Sequence, residues 1–372
     1  MKVDARDSDG ALPALSKTAL VTRFAVIGVV VLCSMGAFAY AGGWLSPDRT
    51  TQGKIVAALQ DVNGSHPGFR RAHAKGICAT GWFDGNGNAA ALSKATLFAR
   101  GRVPVIGRFA FASGMPFVAD QAKGVRSLAL RLRPPGAGEW RTGMIDIPVF
   151  PFRSAQAFYE QVLASKPDAH TGKTDPSKMQ VFAATHPEFV AALTLIGKRS
   201  VSSGFADDTF NSLNTFRFVS ATGVSTPVRW SAVPVQPLAA TVGAASTGDE
   251  NGVFDALIAQ VAHHPVQWRL LITIGQPGDP TNDPTVPWPI NRQHIDAGTV
   301  TIDKLSSEDG GPCVDITYDP MVLPIGIEPS DDPIPSARSS AYARSFILRQ
   351  EERAAKPRSA VTPQEVGSGG KS

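Results

Sequence analysis

The sequence predicts an α+β fold: an antiparallel β-barrel with helices packed around it, preceded by one apolar helix long enough to cross a membrane. Three observations lead there. Short segments in which apolar residues alternate with polar ones recur along the chain, separated by turn-forming residues. Few of them are joined by helical crossovers of the parallel kind, and the chain is rich in punctuating residues, with 35 Gly and 29 Pro. From Phe24 to Leu45 there is no charged side chain.

Residues 1–23 read as a short cytoplasmic segment, with Lys17 and Arg23 before the apolar run and Asp4, Asp7 and Asp9 diluting the positive signal. About 20 apolar residues suffice to span a bilayer core. Tyr40 and Trp44 sit near the far end, where aromatic side chains favour the interface. Ala37-Phe38-Ala39 offers a signal-peptidase site, but the run exceeds an ordinary signal core, so residues 24–45 are read as an anchor. Either way the rest is exported; the anchor reading gives a single-pass arrangement at the inner, cytoplasmic membrane with a periplasmic or extracytoplasmic domain.

After a linker at Ser46–Thr51 the expected domain covers residues 50–350. Helical spacing of Ile55, Leu59 and Val62 predicts a helix over Gln52–Val62. Strands are expected at Val103–Phe111, around Leu128, Leu130 and Leu132, at Phe216 and Phe218, at Val228 and Trp230, at Trp268–Ile272, and at Val300 and Ile302. Helices are expected at Ala155–Ser165, Pro176–Ile196 and Val253–His263. Residues 351–372 are polar, with Gly367-Ser368-Gly369-Gly370 near the end, and are expected to be disordered.

With 372 residues, 43% of them hydrophobic, the chain can bury a sizeable core. Its net charge of +4 is spread along the sequence and leaves no nucleic-acid footprint. Cys33 lies in the apolar run. Cys78 and Cys313 lack CxxC partners, which excludes a zinc ribbon and leaves one disulfide or two buried thiols as alternatives. No histidine has HExxH spacing.

Two sites carry chemistry. His73 stands between small residues in Arg70-Arg71-Ala72-His73-Ala74-Lys75-Gly76, at the start of an extended segment where its ring can face a cavity. Arg338 and Tyr342 are four apart and share one face of a helix. A guanidinium beside a phenol favours the phenolate, and tyrosinate is an axial ligand of haem iron.

Together these segments resemble the catalase superfamily, and among its members the small catalase-related peroxidases. Arg70–Gly76 resembles the distal histidine segment and Arg338-Ser-Ser-Ala-Tyr342 the proximal RxxxY. In the right order between them, Leu92-Ser-Lys-Ala95 resembles YSKA, and Pro104-Val-Ile-Gly-Arg108-Phe109 resembles the PVxxRF strand. Val125-Arg126-Ser-Leu-Ala-Leu130 resembles the PRGFALK strand, and Pro148-Val-Phe150 the PVF segment. Tyr318-Asp-Pro-Met-Val-Leu-Pro-Ile-Gly-Ile-Glu328 follows the family pattern before the proximal helix. Two positions depart. Ile145 stands where the family has a distal Asn, or Asp146 with a one-residue slip. Ala110 stands where a Ser supports the distal His.

The resemblance implies a catalase-like barrel and haem b, with Tyr342 as the axial iron ligand held by Arg338. It assigns Arg70 and Arg108 to the propionates and Phe150 and Phe158 to the haem face. His73 would move the proton during peroxide cleavage. With Ile145 unable to orient a second peroxide, the expected activity is that of a peroxidase, an oxidoreductase acting on organic hydroperoxides or hydrogen peroxide with a small organic reductant, and weak catalase turnover. Rival readings are a hydroperoxide-rearranging haem enzyme, a non-catalytic haem carrier or sensor, and a metal-free binding barrel. The oligomeric state stays open, a homodimer included.

Overall fold

The structure, a computed structural model, describes residues 16–42, 45, 50–121, 123–168, 170–236, 250–355 and 358–370. The chain divides into two units, Met1–Thr51 and Gln52–Ser372.

The first unit holds one helix, α1 (Lys17–Ala41), whose Ser16 cap accepts a hydrogen bond from the Ala19 amide at 3.2 Å. It begins upstream of the uncharged run because Ser16 supplies the cap and Thr18, Ala19 and Leu20 continue the helix. None of its residues is buried, and its 25 residues make it the one helix among the described residues that alone is long and apolar enough to cross a membrane. At 1.5 Å per residue it measures about 37 Å. Trp44 and most of the expected linker lie outside the described residues.

In the second unit ten strands form one sheet. They are β1 (Gly76–Gly85), β2 (Gly101–Phe111), β3 (Arg126–Leu132), β4 (Trp140–Ile145), β5 (Phe210–Asn211), β6 (Phe216–Val219), β7 (Ser225–Pro234), β8 (Val266–Ile274), β9 (His294–Ser306) and β10 (Ile327–Pro329). Every pairing is antiparallel. The order β7-β5-β4-β3-β2-β1-β9-β8 closes through β7–β8 into a barrel, with β6 and β10 appended beside β7. Around it lie α2 (Gln52–Asn63), α3 (Ala155–Ala164), α4 (Pro176–Thr185), α5 (Pro187–Gly197), α6 (Gly252–His263), α7 (Pro333–Glu351) and α8 (Pro363–Gly367).

Alternation along the strands gives the wall two faces. Inward go Ile77, Phe109, Leu128 and Met144, neighbours across four strands, together with Leu130, Trp140, Trp230 and Trp268. Aromatic rings fill the interior edge to face: Trp140 and Trp230 have centroids 5.0 Å apart, and Phe109 and Trp268 5.7 Å. Of these three buried indoles two keep a partner, Trp230 Nε1 donating to Thr142 Oγ1 at 2.9 Å and Trp268 Nε1 to the Asp208 carbonyl at 3.0 Å, while Trp140 Nε1 has no acceptor. On the outer face the rows are Gly76, Ala110, Ser127 and Ile145, and Cys78, Arg108, Ala129 and Gly143. These are mostly small residues, so the outer wall of β1–β4 is a shallow floor. At the β1–β9 bulge Gly81 is required, since a Cβ there would lie 1.9 Å from the Thr301 carbonyl oxygen.

Two expectations are corrected. Pro176–Ile196 is two helices bent by 105°, because Pro187 has no N–H to continue α4 and starts α5 instead. The polar tail is ordered over residues 358–370. Val361 is fully buried, Ser359 is buried, and Thr362 and Glu365 form a capping box on α8.

The alternatives left open for the cysteines close as a disulfide between Cys78 and Cys313, both fully buried and 235 residues apart. It ties the segment that carries Glu308, Cys313 and Ile316 to the outer face of β1. Replacing both cysteines by Ala is expected to lower the unfolding free energy by about 2–4 kcal/mol, measured by urea denaturation of the full chain in detergent under oxidising conditions.

Candidate functional site

His73 sits in the loop between α2 and β1, with φ 54°, a left-handed conformation that non-glycine residues seldom adopt. Its neighbours hold it there. Arg71 donates to the Phe69 carbonyl at 2.8 Å and pairs with Glu352. Lys75 donates to Asp120 at 2.7 Å and to the Val118 carbonyl at 2.9 Å. The Ala74 amide donates to the Ser113 carbonyl at 2.7 Å. Two cations and a backbone amide so tied leave the half-buried His73 ring facing the floor, with Nδ1 3.0 Å from Ser127 Oγ. Burial pushes its pKa down to about 3, and the nearby guanidiniums of Arg108, Arg338 and Arg70 add to the shift. The imidazole is therefore neutral across the ordinary pH range.

The second component comes from α7. Asp332 caps this helix, accepting from the Ile334 amide at 2.9 Å, and Pro333 occupies its first turn. Asp332 also accepts from Asn214 Nδ2 at 2.9 Å, which turns Asn214 Oδ1 toward Arg338 Nη1 at 3.1 Å. Arg338 Nη2 then donates to Tyr342 Oη at 3.1 Å, the contact that their four-residue spacing predicts. Tyr342 packs against the buried cluster of Cys78, Cys313, Ile316 and Tyr318. A Cβ on Gly143 would come 3.4 Å from Arg338 Nη2 and 3.9 Å from Tyr342 Oη, so glycine at that place keeps the floor clear beneath both groups.

The third component is a cluster of guanidiniums. Arg108 makes a two-pronged pair with Glu308, both contacts 2.8 Å, and also donates to the Ala74 carbonyl at 3.2 Å. Arg70 donates to the carbonyls of Cys313 and Ile316 at 3.1 and 3.0 Å, its Nε 4.0 Å from Glu308. Arg349 donates to the Val314 carbonyl at 3.0 Å. The Nε groups of Arg70 and Arg349 are buried with no hydrogen-bond acceptor. Burial and then Arg108 lower the pKa of Arg70, and burial and then Arg70 push that of Arg349 down to about 9. Burial opposes ionisation of Glu308, but Arg108, with Arg70 and Arg349, outweighs it and holds the carboxyl below its usual range. Three guanidiniums gather about Glu308, with Asp315 also acting on Arg349, a concentration of positive charge suited to an anion.

His73, Arg70, Arg108, Arg338 and Tyr342 are thus gathered at the outer face. Phe150 and Phe158 belong to a separate aromatic cluster with Phe152, Phe182 and Phe189, between the loop before α3 and helices α3–α5. Ile145 pairs directly with Ser127, in the row beside His73. Asp146 instead accepts from the Arg126 amide at 2.9 Å and lies 3.8 Å from Arg199; burial and then Asp208 push its pKa up to about 6. Ser127, Asn214 and Arg349 escaped the sequence reading. Only Arg349 left a signal there, seven residues beyond Tyr342 and so on the same helical face. A separate open cavity of about 380 Å³, bordered by Arg153, His186, Glu188 and Asp331, lies elsewhere.

The catalase family profile matches residues 55–353. A catalase-related peroxidase of Synechococcus elongatus is 34% identical over 326 residues, 87% of this chain and 95% of that protein. Another, from Mycolicibacterium paratuberculosis, is 30% identical over 311 residues, 82% of this chain and 96% of that protein. The catalase of Rattus norvegicus is 24% identical over 288 residues, 73% of this chain and only 54% of that protein. Among solved structures, a bacterial catalase superposes with a TM-score of 0.67 at 21% identity, covering 80% of this chain and 61% of that one. Catalase A from Saccharomyces cerevisiae superposes with a TM-score of 0.68 at 18% identity, covering 79% and 64%. The fold and the near end-to-end match to the two smaller relatives agree: the chain belongs to the catalase family.

Proposed function

We propose that the chain is a haem-dependent peroxidase, anchored by α1 in the cytoplasmic membrane with its barrel unit on the extracytoplasmic side. It reduces an organic hydroperoxide or hydrogen peroxide with a small organic donor and disproportionates hydrogen peroxide weakly. The observation that carries this reading is the gathering, over one face of the sheet, of a neutral imidazole at His73 and an Arg-bound phenol at Tyr342. The names of the two relatives matched over nearly their whole length, both catalase-related peroxidases, support the activity. The length of α1 and a disulfide, a bond of oxidising compartments, support export.

The residues fit a haem b. Tyr342 offers an oxygen ligand to iron, with Arg338 donating to that oxygen. Arg70, Arg108 and Arg349 suit two propionates, since two of the three keep a buried Nε without an acceptor. Phe150 and Phe158, which the resemblance assigns to the haem face, lie instead in the separate aromatic cluster with Phe152. When bound, the haem supplies the electrons that cleave the peroxide O–O bond. His73 takes the proton from one peroxide oxygen and returns it to the other as that oxygen leaves. It is suited to this because burial, aided by three guanidiniums, keeps it unprotonated at the start. Ile145 has no amide with which to orient a second peroxide, which favours an organic donor over disproportionation.

The purified full chain is expected to show the absorption of a ferric haem with phenolate ligation. Tyr342→Phe loses the haem or its charge-transfer band, and a wild-type spectrum in that variant removes Tyr342 from the site. His73→Ala keeps the haem but slows peroxide consumption by about 10²–10⁴-fold, the usual worth of general acid–base assistance, as read by stopped flow. The folded His73 pKa of about 3 lies below the ordinary imidazole value. Proton-acceptor function is therefore lost only as pH falls toward that value, and the rate profile shows no inflection near pH ~6.5. Ile145→Asn raises oxygen release relative to dye oxidation; an unchanged ratio means that residue 145 does not contact the second peroxide.

A further inference from the structure

Ser127 takes no part in the chemistry above, yet its hydroxyl makes two contacts that together fix a proton. Its Oγ lies 3.1 Å from the Ala110 carbonyl oxygen and 3.0 Å from His73 Nδ1. A hydroxyl has one hydrogen, and a carbonyl oxygen can only accept. If the hydroxyl donated to His73, Oγ and the Ala110 oxygen would face each other with no proton between them. In only one arrangement do both contacts hold a proton: Ser127 donates to Ala110, and His73 Nδ1–H donates to Ser127. Neutral imidazole carries a single ring proton, and the bond made by one nitrogen decides the state of the other. Nε2 is then the bare nitrogen.

Its surroundings leave Ser127 without a substitute. In the same row of the outer face stand Gly76, Ala110 and Ile145, none with a polar side chain. Next comes Asn211, whose carboxamide donates to the Ile147 carbonyl at 3.0 Å and accepts from Ser231 Oγ at 2.7 Å. The hydroxyl is supplied by β3, one strand away from Ala110 on β2, and the pairing of Ala110 with Ser127 brings it into place.

We infer that Ser127 is the positioning residue that sets the tautomer of His73, holding the proton on Nδ1 and leaving Nε2 as the base. The consequence for turnover rests on the peroxidase reading; the tautomer itself does not. The test uses the full chain in detergent, labelled with ¹⁵N at its seven histidines and prepared without haem. The His73 signals are assigned with His73→Gln, and long-range ¹H–¹⁵N couplings at neutral pH report which nitrogen is protonated. The wild type is expected to show Nδ1–H alone, Ser127→Ala a mixture or Nε2–H, and Ser127→Thr the wild-type pattern again. A bare Nδ1 in the wild type, or an unchanged tautomer in Ser127→Ala, overturns the inference. In the haem-loaded chain, Ser127→Ala is expected to consume peroxide about 10–100-fold more slowly with an unaltered haem spectrum, and Ser127→Thr to come within about 3-fold of the wild type. An undiminished rate in Ser127→Ala also overturns it. A chain that takes up no haem defeats the peroxidase reading alone, since the tautomer comparison still decides the role of Ser127.

Discussion

The register of the β2–β3–β4 ladder is the constraint from which the rest follows. A slip of one residue would carry Phe109, Leu128 and Met144 to the outer face and bring Arg108, Ala129 and Gly143 inside. The large buried rings forbid it: Phe109 packs against Phe205, Phe210 and Trp268 at centroid distances of 5.5, 6.3 and 5.7 Å. Packing inside the barrel so decides what chemistry faces outward. The same pairing that buries Leu128 puts Ser127 beside His73, and the same turn of strand that buries Met144 leaves Gly143 beneath Tyr342.

The second layer of organisation is electrostatic. Arg70, Arg108 and Arg349 come from the His73 loop, β2 and α7 and meet over the segment that bears Glu308. Gathering like charges in a buried place is costly, and the shifted pKa of Arg349 records that cost. Backbone carbonyls of Cys313, Val314 and Ile316 offset it, and the disulfide keeps those carbonyls at the sheet. Asp332 works similarly at one remove. It caps α7 and orients Asn214, so the helix start and the setting of Arg338 depend on one carboxylate.

Much of this is legible in the sequence, and the exceptions have physical reasons. β2, β3, β7 and β8 announce themselves because their inward positions are mostly apolar, the buried Arg126 of β3 being an exception. β4 does not, since its inward residues are Trp140, Thr142 and Met144 and Gly143 interrupts it. β5 and β10, two and three residues long, are too short for any period to show. Apolar spacing runs on through Pro187, which hides the break between α4 and α5. Composition hides α8 as well, although the Thr362/Glu365 box is a local signal of a helix start. His73, Arg338 and Tyr342 stand out because their spacing is local. Ser127 and Asn214 do not, because their roles exist only through strand pairing and through a loop brought against α7.

The disulfide also orders events in time. Cys78 leaves the ribosome 235 residues ahead of Cys313, an interval of about 10–50 s at ordinary elongation rates. Nothing on the first half of the chain can complete the guanidinium cluster in that interval, since the Arg70 acceptors and the whole of α7 are synthesised later. The site therefore cannot be complete until α7 has been made, after all the strands that close the barrel. A nascent chain halted midway would display a His73 loop with nothing opposite it.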